Sequence, residues 1–327
     1  MSQPIIQLNN VTKTFKVPLK GQGLIKSLFI RKHKPVDVIN DISFSVNEGE
    51  FIGYIGPNGA GKSTTIKLLT GILYPTSGDV SVLGYNPYED RYNYTYHIGV
   101  VFGQRSLLEF DIPVIDSFLL YKSIYELEDD KYQARLDRFT KALDLKDLYH
   151  IPVRKLSLGQ RMRCEIAASL LHEPRVIFLD EPTIGLDALA KQEIRHFLKE
   201  VNTQEQVTIM LTTHDMDDIE TLCERIIFIN EGTIIYDGKL DQLKQKYATG
   251  KDIEISFKSQ IDIPEKLLPL LKDVNEKTLT YTFAVSYSQA VEILPKLLAL
   301  GNATDVSIHE PDLEEVVKLI YQYGYNE

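Results

Sequence analysis

Short apolar segments alternate with segments of helical spacing through most of the chain. Residues 51–55, 175–179 and 207–212 are predominantly apolar segments of strand length, and residues 65–69 have the pattern of a helix. Strands that are apolar on both faces and separated by helices are typical of a parallel sheet covered by helices. The pattern therefore predicts an α/β fold.

Two stretches depart from this alternation. Residues 5–15 and 36–46 have the pattern of strands, because apolar positions such as Ile42, Phe44 and Val46 alternate with polar ones. Residues 106–149 instead show helical spacing with little strand character. We therefore expect a helical subdomain at about residues 106–165 within the larger domain.

The end of the chain has a pattern of its own. Ile253, Ile255 and Phe257 alternate as in a strand, and residues 279–285 repeat this alternation. Residues 288–300 have the spacing of a helix, a short strand pattern surrounds Val306, and residues 311–321 predict a last helix. We expect a first domain at residues 1–245 and a small α+β domain at residues 250–327, serving dimerisation or regulation.

Composition narrows the class of protein. The chain has 327 residues, enough for about two domains, with 43% hydrophobic and 25% charged residues. Its net charge of −10 argues against broad nucleic-acid binding. No apolar run approaches the roughly 18 residues of a membrane-spanning helix, and the two cysteines, Cys164 and Cys223, have no metal-ligand spacing. We expect a cytoplasmic globular protein with no nucleic-acid partner.

One glycine-rich segment between a predicted strand and a predicted helix carries the clearest chemistry. It fits G-x-x-x-x-G-K-[ST], the phosphate-binding loop, and consists of Gly56, Pro57, Asn58, Gly59, Ala60, Gly61, Lys62, Ser63 and Thr64. Such a loop directs backbone N–H groups and the positive end of a helix dipole at a phosphate. Lys62 supplies a positive charge for the terminal phosphates, and the Ser63 hydroxyl suits a Mg²⁺ ligand. The segment predicts a nucleoside triphosphate site.

Polar groups follow two of the other predicted strands. Asp180 and Glu181 come directly after residues 175–179, and His214 comes shortly after residues 207–212. Because the carboxyl ends of parallel strands meet at one edge of the sheet, all three are expected near the phosphate loop. Asp180 can bind Mg²⁺ there, and Glu181 can activate a water for attack on the γ-phosphate. Strand ends that merely carry solvated polar groups are the alternative.

A second helix start has two interpretations. Residues 156–161 read Leu-Ser-Leu-Gly-Gln-Arg, and Ser157 with Gln160 fits an ordinary capping box. A helix that begins with a serine and a glycine is also an anion site by geometry. The segment alone does not decide between these two roles.

Taken together, these motifs resemble the ATPase subunit of ATP-binding cassette (ABC) transporters over about residues 5–243. The resemblance implies a P-loop NTPase fold, with a RecA-like core, an antiparallel β subdomain and a helical subdomain. It implies that Phe15 stacks on adenine, that Gln104 contacts Mg²⁺ and couples to the membrane partner, and that Asp180 is the Walker B acid. Glu181 then resembles the catalytic base and His214 the switch histidine on the γ-phosphate. The resemblance also implies nucleotide contacts from the signature residues Ser157, Gly159 and Gln160, and from Asp187 of the D-loop.

Two positions depart from the family pattern. The usual signature L-S-G-G-Q is L-S-L-G-Q, with Leu158 in place of the first glycine, and the D-loop begins Ile184-Gly185 instead of the commoner pair of small residues. Neither change removes a catalytic group, so we expect ATP hydrolysis with ATP and Mg²⁺. Because family members pair head to tail and this chain has one set of motifs, the resemblance implies a homodimer or a related partner cassette.

Residues 16–35 are the one basic island in an acidic chain. Six lysines and arginines occur there without an acidic residue, and residues 23–31 fit a short basic amphipathic helix. A membrane surface is the expected partner; a solvated loop is the alternative.

The resemblance points to an exporter that works through separate transmembrane permease subunits, on the inner face of the cell membrane. A polysaccharide or teichoic-acid exporter and a soluble ABC ATPase are the alternatives.

Overall fold

The computed structural model describes residues 4–18, 33–103, 105–247, 250–309 and 313–323. The chain divides into two compact units, Met1–Gly238 and Lys239–Glu327. The first unit contains two described sheets and the second unit one, and each unit has its own hydrophobic core. The division lies before Lys239, earlier than residue 245, where we expected the first domain to end.

The first unit contains both of the predicted kinds of strand. In chain order its described strands are β1 (Ile6–Pro18), β2 (His33–Val46), β3 (Phe51–Ile55), β4 (Ser77–Val82), β5 (Ile98–Phe102), β6 (Val176–Asp180), β7 (Thr208–Thr212), β8 (Arg225–Asn230) and β9 (Thr233–Lys239). Its described helices are α1 (Lys62–Leu69), α2 (Arg91–Thr95), α3 (Val114–Ile124), α4 (Asp129–Ala142), α5 (Leu158–Leu170), α6 (Ala188–Glu205) and α7 (Met216–Leu222).

The larger sheet has the order β5-β6-β7-β3-β8-β9, and its pairs from β5 to β8 are parallel. Every residue of β3 and of β7 is buried, as expected for strands that are covered on both faces. Their apolar side chains therefore belong to the interior and not to a solvated surface. The carboxyl ends of β3, β6 and β7 lie at one edge, so the segments that follow these strands come together there.

The smaller sheet of the first unit is antiparallel, with the order β2-β1-β4. Ile6 of β1 lies opposite Val46 of β2 on one side and opposite Val82 of β4 on the other. These side chains are buried in a core that also includes Tyr54 of β3 and Tyr94 of α2. The alternating pattern of residues 36–46 thus corresponds to a strand with one buried face.

Arg135 of α4 connects the described helices between β5 and β6 with each other and with α6. Its guanidinium donates to the Leu170 carbonyl oxygen at 2.8 Å and to the Glu205 carboxylate. These acceptors lie at the end of α5 and the end of α6, so one buried side chain fixes three helices. Among the residues that the structure describes, no helix is long and apolar enough to cross a lipid bilayer.

The second unit is an α+β arrangement. In chain order its described elements are α8 (Leu240–Tyr247), β10 (Gly250–Phe257), β11 (Leu271–Asn275), β12 (Thr280–Ser286), α9 (Tyr287–Leu298), β13 (Ala303–His309) and α10 (Leu313–Tyr323). The sheet is antiparallel, with the order β11-β12-β10-β13, and Ile253 of β10 lies opposite Phe283 of β12. Both side chains are fully buried with Leu297 of α9. The alternation seen in the sequence is therefore the core-facing side of this sheet.

Two local expectations for the second unit were incomplete. We expected a polar connection at residues 242–250, whereas α8 continues to Tyr247 because Leu240 and Leu243 are buried on one side of it. Strand β11 was not predicted, since four of its five residues are exposed and it has no apolar alternation.

Candidate nucleotide site

The phosphate loop lies between β3 and α1, where its glycines are required by local geometry. Gly59 and Gly61 have φ of 85° and 112°, in the left-handed region that favours glycine. A Cβ at Gly61 would lie 2.9 Å from the Val38 carbonyl oxygen, and one at Gly56 would overlap the Ile229 carbonyl. The loop can therefore turn tightly into the N-terminus of α1, which begins at Lys62.

The Lys62 ammonium group lies folded back over this loop. It donates to the carbonyl oxygens of Gly56 at 2.7 Å and Pro57 at 3.1 Å. Burial lowers the pKa of Lys62, and the nearby carboxylates of Glu181 and Asp180 oppose this change. A triphosphate in the loop would offer the ammonium group stronger, charged acceptors than these two carbonyls.

Asp180 ends β6 beside the loop and accepts two hydroxyl hydrogen bonds. Ser63 Oγ donates to Asp180 Oδ1 at 3.2 Å, and Thr212 Oγ1 donates to the same oxygen at 2.6 Å. The second contact follows from strand register, since Asp180 and Thr212 lie opposite each other in the parallel β6–β7 pair. The predicted pair Ser63 and Asp180 thus forms one cluster of hard oxygen donors, which suits Mg²⁺. Thr212 was not predicted as a site residue, because its contact with Asp180 depends on the register of the two strands.

Glu181 has an unusual backbone conformation for a non-glycine residue. Its φ is 56°, and its N–H donates to the Thr212 carbonyl oxygen at 2.9 Å. A left-handed residue of this kind costs free energy and persists where the surrounding structure holds it. The turn directs the Glu181 carboxylate toward the His214 ring, with Oε2 3.2 Å from Nδ1. The predicted base and the predicted switch histidine are therefore in direct contact.

These groups face one cleft of about 710 Å³. Nine of the predicted site residues line it: Asn58, Gly59, Gly61, Lys62, Ser63, Thr64, Asp180, Glu181 and His214. Ile184 of the D-loop lines it as well, and lining residues that the sequence did not single out are Val38, Lys67, Ile72, Phe102, Gly103 and Arg105. Lys67 and Arg105 add positive charge to the cleft, which favours a polyanionic ligand. Gln104, predicted to contact Mg²⁺, lies outside the described residues, while its neighbours Gly103 and Arg105 line the cleft.

Phe15 is half-buried on β1, opposite Val36, and is not among the residues that line the cleft. The Lys13 ammonium lies 5.2 Å from the centre of its ring and 4.6 Å from that of Tyr74, and donates to the Tyr74 carbonyl oxygen at 2.8 Å. Stacking of adenine on Phe15 therefore stays a prediction.

The signature segment forms a complete capping box. The Gln160 N–H donates to Ser157 Oγ at 3.2 Å, and the Ser157 N–H donates to Gln160 Oε1 at 2.9 Å. Asp187 similarly caps α6 by accepting from the Ala190 N–H at 2.9 Å. Ser157, Gly159, Gln160 and Asp187 are not among the residues that line the cleft of their own chain. The capping interpretation is thus correct locally, and Ser157 stays exposed.

A buried carboxylate that the sequence did not single out joins two segments of the site. Asp218 is fully buried and accepts from the hydroxyl groups of Thr183 and Thr213 and from Arg195 Nε. Thr183 follows Glu181 by two residues, and Thr213 precedes His214. One side chain therefore holds together the two loops that carry the predicted base and the switch histidine.

A parallel sheet with a glycine-rich loop at a helix N-terminus, opposed by an acidic strand end, defines a P-loop nucleoside triphosphatase. A family model described as "ABC transporter" matches residues 39–184. The ABC transporter ATP-binding protein NatA of Bacillus subtilis is 30% identical over 233 residues, which cover 71% of this chain and 94% of NatA. The daunorubicin resistance ATP-binding protein DrrA3 of Streptomyces coeruleorubidus is 30% identical over 283 residues, which cover 85% of this chain and 89% of DrrA3.

A solved structure supports the same relationship. The ATP-binding cassette MJ0796, seen as a post-hydrolysis dimer bound to ADP and Pi, superposes with a TM-score of 0.60 at 27% identity, over 72% of this chain and 98% of that chain. The chain belongs to the ABC transporter ATP-binding family. The predicted P-loop NTPase fold is confirmed, and so is the expected activity, ATP hydrolysis.

Proposed function

We propose that this chain drives export across a membrane by hydrolysing ATP on behalf of separate permease subunits. The observation that carries the proposal is the contact of Glu181 with His214, at 3.2 Å, in the cleft that Lys62, Ser63 and Asp180 also line. A base, a phosphate-binding cation and a hard-oxygen cluster in one cleft are the groups that γ-phosphate hydrolysis requires. The relatives NatA and DrrA3, an ABC transporter protein and a drug-resistance protein by name, support the transport role.

In the proposed mechanism each side chain has one task. The loop N–H groups and Lys62 bind the β- and γ-phosphates, and His214 contacts the γ-phosphate. The Glu181 carboxylate takes a proton from a water whose oxygen forms the new bond to the γ-phosphorus. The bond between that phosphorus and the bridging oxygen breaks, so that ADP leaves with the electron pair and phosphate is released.

Mg²⁺ fits the oxygen donors Ser63 Oγ and Asp180 Oδ1, with Thr212 holding the carboxylate from the other side. When bound, it would neutralise charge on the phosphate oxygens. The described residues contain no cluster of three or more His, Cys, Asp or Glu side chains that could hold a metal ion.

The signature residues would act on a second copy of the chain. Ser157 caps α5, and a helix N-terminus presents N–H groups and a positive dipole end to an anion. Ser157, Gly159, Gln160 and Asp187 do not line their own cleft, and MJ0796 is dimeric in its ADP-bound form. We therefore assign these residues to the γ-phosphate side of the partner's nucleotide in a homodimer.

The remaining parts of the chain would connect the ATPase to the membrane. The described residues contain no helix that can span a bilayer, so the transport pathway is assigned to separate permease chains. The basic residues 16–35 would bring the protein to the inner membrane surface; residues 19–32, which include the predicted amphipathic helix, lie outside the described part of the chain. The second unit, with its own core, would serve dimerisation or regulation.

Replacing the proposed base tests the function. Glu181→Gln keeps the size of the side chain but cannot accept the proton, so we expect ATP binding without turnover and an ATP-dependent dimer on gel filtration. The control Glu89→Gln changes an exposed glutamate outside the cleft and should leave hydrolysis unchanged. Full turnover by Glu181→Gln would exclude Glu181 as the base.

A further inference from the structure

Leu158, which departs from the family signature, lies against Gly185 of the D-loop in the structure. A Cβ placed on Gly185 would be 3.0 Å from Leu158 Cδ2, closer than carbon atoms pack without displacement. Apart from this side chain, no described atom lies within 4 Å of that position other than the adjacent residues. Leu158 thus occupies the space that a side chain at position 185 would need.

Position 185 also has a backbone that favours glycine. Its φ is 71°, in a tight turn where the Ile184 N–H donates to the Glu181 carbonyl oxygen at 3.4 Å and the Leu186 N–H to the Thr183 carbonyl oxygen at 3.3 Å. This turn therefore begins at the proposed catalytic base. Its middle residue, Ile184, lines the nucleotide cleft, and Gly185 faces Leu158.

Leu158 is the first residue of α5, directly after the capping residue Ser157. A second close approach occurs one residue later, where a Cβ on Gly159 would lie 3.2 Å from the Ala190 Cβ at the start of α6. The tip of α5 therefore rests at two adjacent points on the segment that leads from Glu181 into α6. Leu158 keeps 36% of its surface exposed, so this contact lies at the surface of the unit and not in its core.

We propose that Leu158 is a positioning residue: its packing against Gly185 holds the Ser157 helix tip against the D-loop. The inference rests on the proposed function, in which Ser157 serves the nucleotide of the partner subunit. With leucine in place of the usual glycine, the backbone is less flexible and an apolar contact is added. This contact holds the Ser157 helix tip at a fixed distance from the turn that follows Glu181. A side chain at 185 would push Leu158 aside and disturb this contact.

A double-mutant cycle tests the pairing of Leu158 with Gly185. The proteins are the full chain, Gly185→Ala, Leu158→Ala and the double variant, each assayed for kcat, KM for ATP and thermal unfolding. Gly84→Ala serves as the control, because Gly84 has a similar φ of 79° and nothing within 4 Å of its Cβ position, so that it reports backbone strain alone.

We expect Gly185→Ala to lower kcat about tenfold, which corresponds to about 1.4 kcal/mol of barrier. KM for ATP should change less than about twofold, because the phosphate loop is untouched, and the unfolding temperature should fall no more than in Gly84→Ala. In the Leu158→Ala background Gly185→Ala should lower kcat less than about threefold, because the obstructing Cδ2 atom of Leu158 is gone. Non-additivity of this kind marks a direct contact.

If Gly185→Ala lowers kcat equally with Leu158 and with Ala at position 158, the pairing of Leu158 with Gly185 is wrong. A kcat loss that is fully accounted for by a lower unfolding temperature would overturn it as well. The same four proteins in the Glu181→Gln background separate this outcome from a failure of the proposed function. If Glu181→Gln itself forms no ATP-dependent dimer, the function is wrong; if it dimerises and the cycle is additive, only the pairing of Leu158 with Gly185 is wrong.

Discussion

Thr212→Val removes a single buried hydroxyl group from the nucleotide site. Thr212 is fully buried, and its Oγ1 donates at 2.6 Å to Asp180 Oδ1, whose other described donor is Ser63 at 3.2 Å. Valine has nearly the same shape, so the change leaves the packing intact and removes the donor. A hydrogen bond to a charged group contributes about 1.5–3 kcal/mol to stability.

We therefore expect the nucleotide-free protein to lose about 2 kcal/mol, which for a unit of this size lowers the unfolding temperature by about 4–8 °C. Because Asp180 would also lose the group that orients it toward Ser63, the Mg²⁺ concentration for half-maximal ATPase activity should rise. Thermal unfolding without nucleotide and a Mg²⁺ titration of ATP hydrolysis measure the two effects.

Thr208→Val is the matched control for this change. Thr208 lies on the same strand, is equally buried, and its Oγ1 accepts from the Gly49 N–H at 2.9 Å, far from the carboxylate. It should lose about 1 kcal/mol of stability and leave the Mg²⁺ dependence unchanged. If Thr212→Val and Thr208→Val behave alike in both measurements, the Thr212–Asp180 contact has no special role at the site.

Three further changes have definite expected outcomes. Gly56→Ala should abolish ATP binding and destabilise the protein by about 3 kcal/mol, because its Cβ would overlap the Ile229 backbone. Gly59→Ala meets no neighbouring atom and adds only the strain of its left-handed backbone, so it should weaken binding less; equal nucleotide affinities of the two variants in equilibrium binding would contradict this. His172 stacks on Tyr125 with ring centres 3.9 Å apart and donates from Nε2 to the Ile98 carbonyl oxygen. Burial lowers the pKa of His172 to about 4, so the unfolded chain binds the extra proton first as pH falls. Stability should decrease by up to about 3 kcal/mol between about pH 6.5 and 4, and urea unfolding of His172→Gln should show a smaller decrease over that range; identical pH profiles would refute the assignment. Deletion of residues 21–33 should leave ATP binding intact and weaken association with vesicles that contain anionic lipid, and unchanged sedimentation with such vesicles would exclude the basic segment as a membrane contact.

The parts of the site that the sequence predicted are those fixed by local geometry. The phosphate loop could be identified because Gly56, Gly61 and Lys62 must stand at fixed spacings to turn a strand into a helix around a phosphate. Glu181 and His214 could be placed in the same cleft because each follows a buried strand, and parallel strands end at one edge. Their direct contact was not predictable, since it depends on the left-handed turn at Glu181.

The features that could not be predicted involve residues far apart in the chain. Thr212 and Asp180 meet through strand register, Asp218 joins Thr183 to Thr213 inside the protein, and Leu158 at the start of α5 meets Gly185 of the D-loop. None of these pairs has a sequence spacing that distinguishes it from ordinary helix or strand residues. The described strand β9 was not predicted for a different reason, because most of its residues are only partly buried and it shows no clear alternation.

The most direct test of the proposed mechanism is complementation between two inactive variants. Lys62→Ala removes the phosphate-binding cation, and Ser157→Arg blocks the helix tip that we assign to the partner's nucleotide. If the site is shared between subunits, a mixed dimer of the two variants contains one site with both Lys62 and Ser157 intact. We predict that the co-expressed pair, purified through two different tags, regains ATP hydrolysis that neither variant shows alone. If the mixed dimer forms and stays as inactive as each variant, Lys62 and Ser157 do not act across the subunit interface.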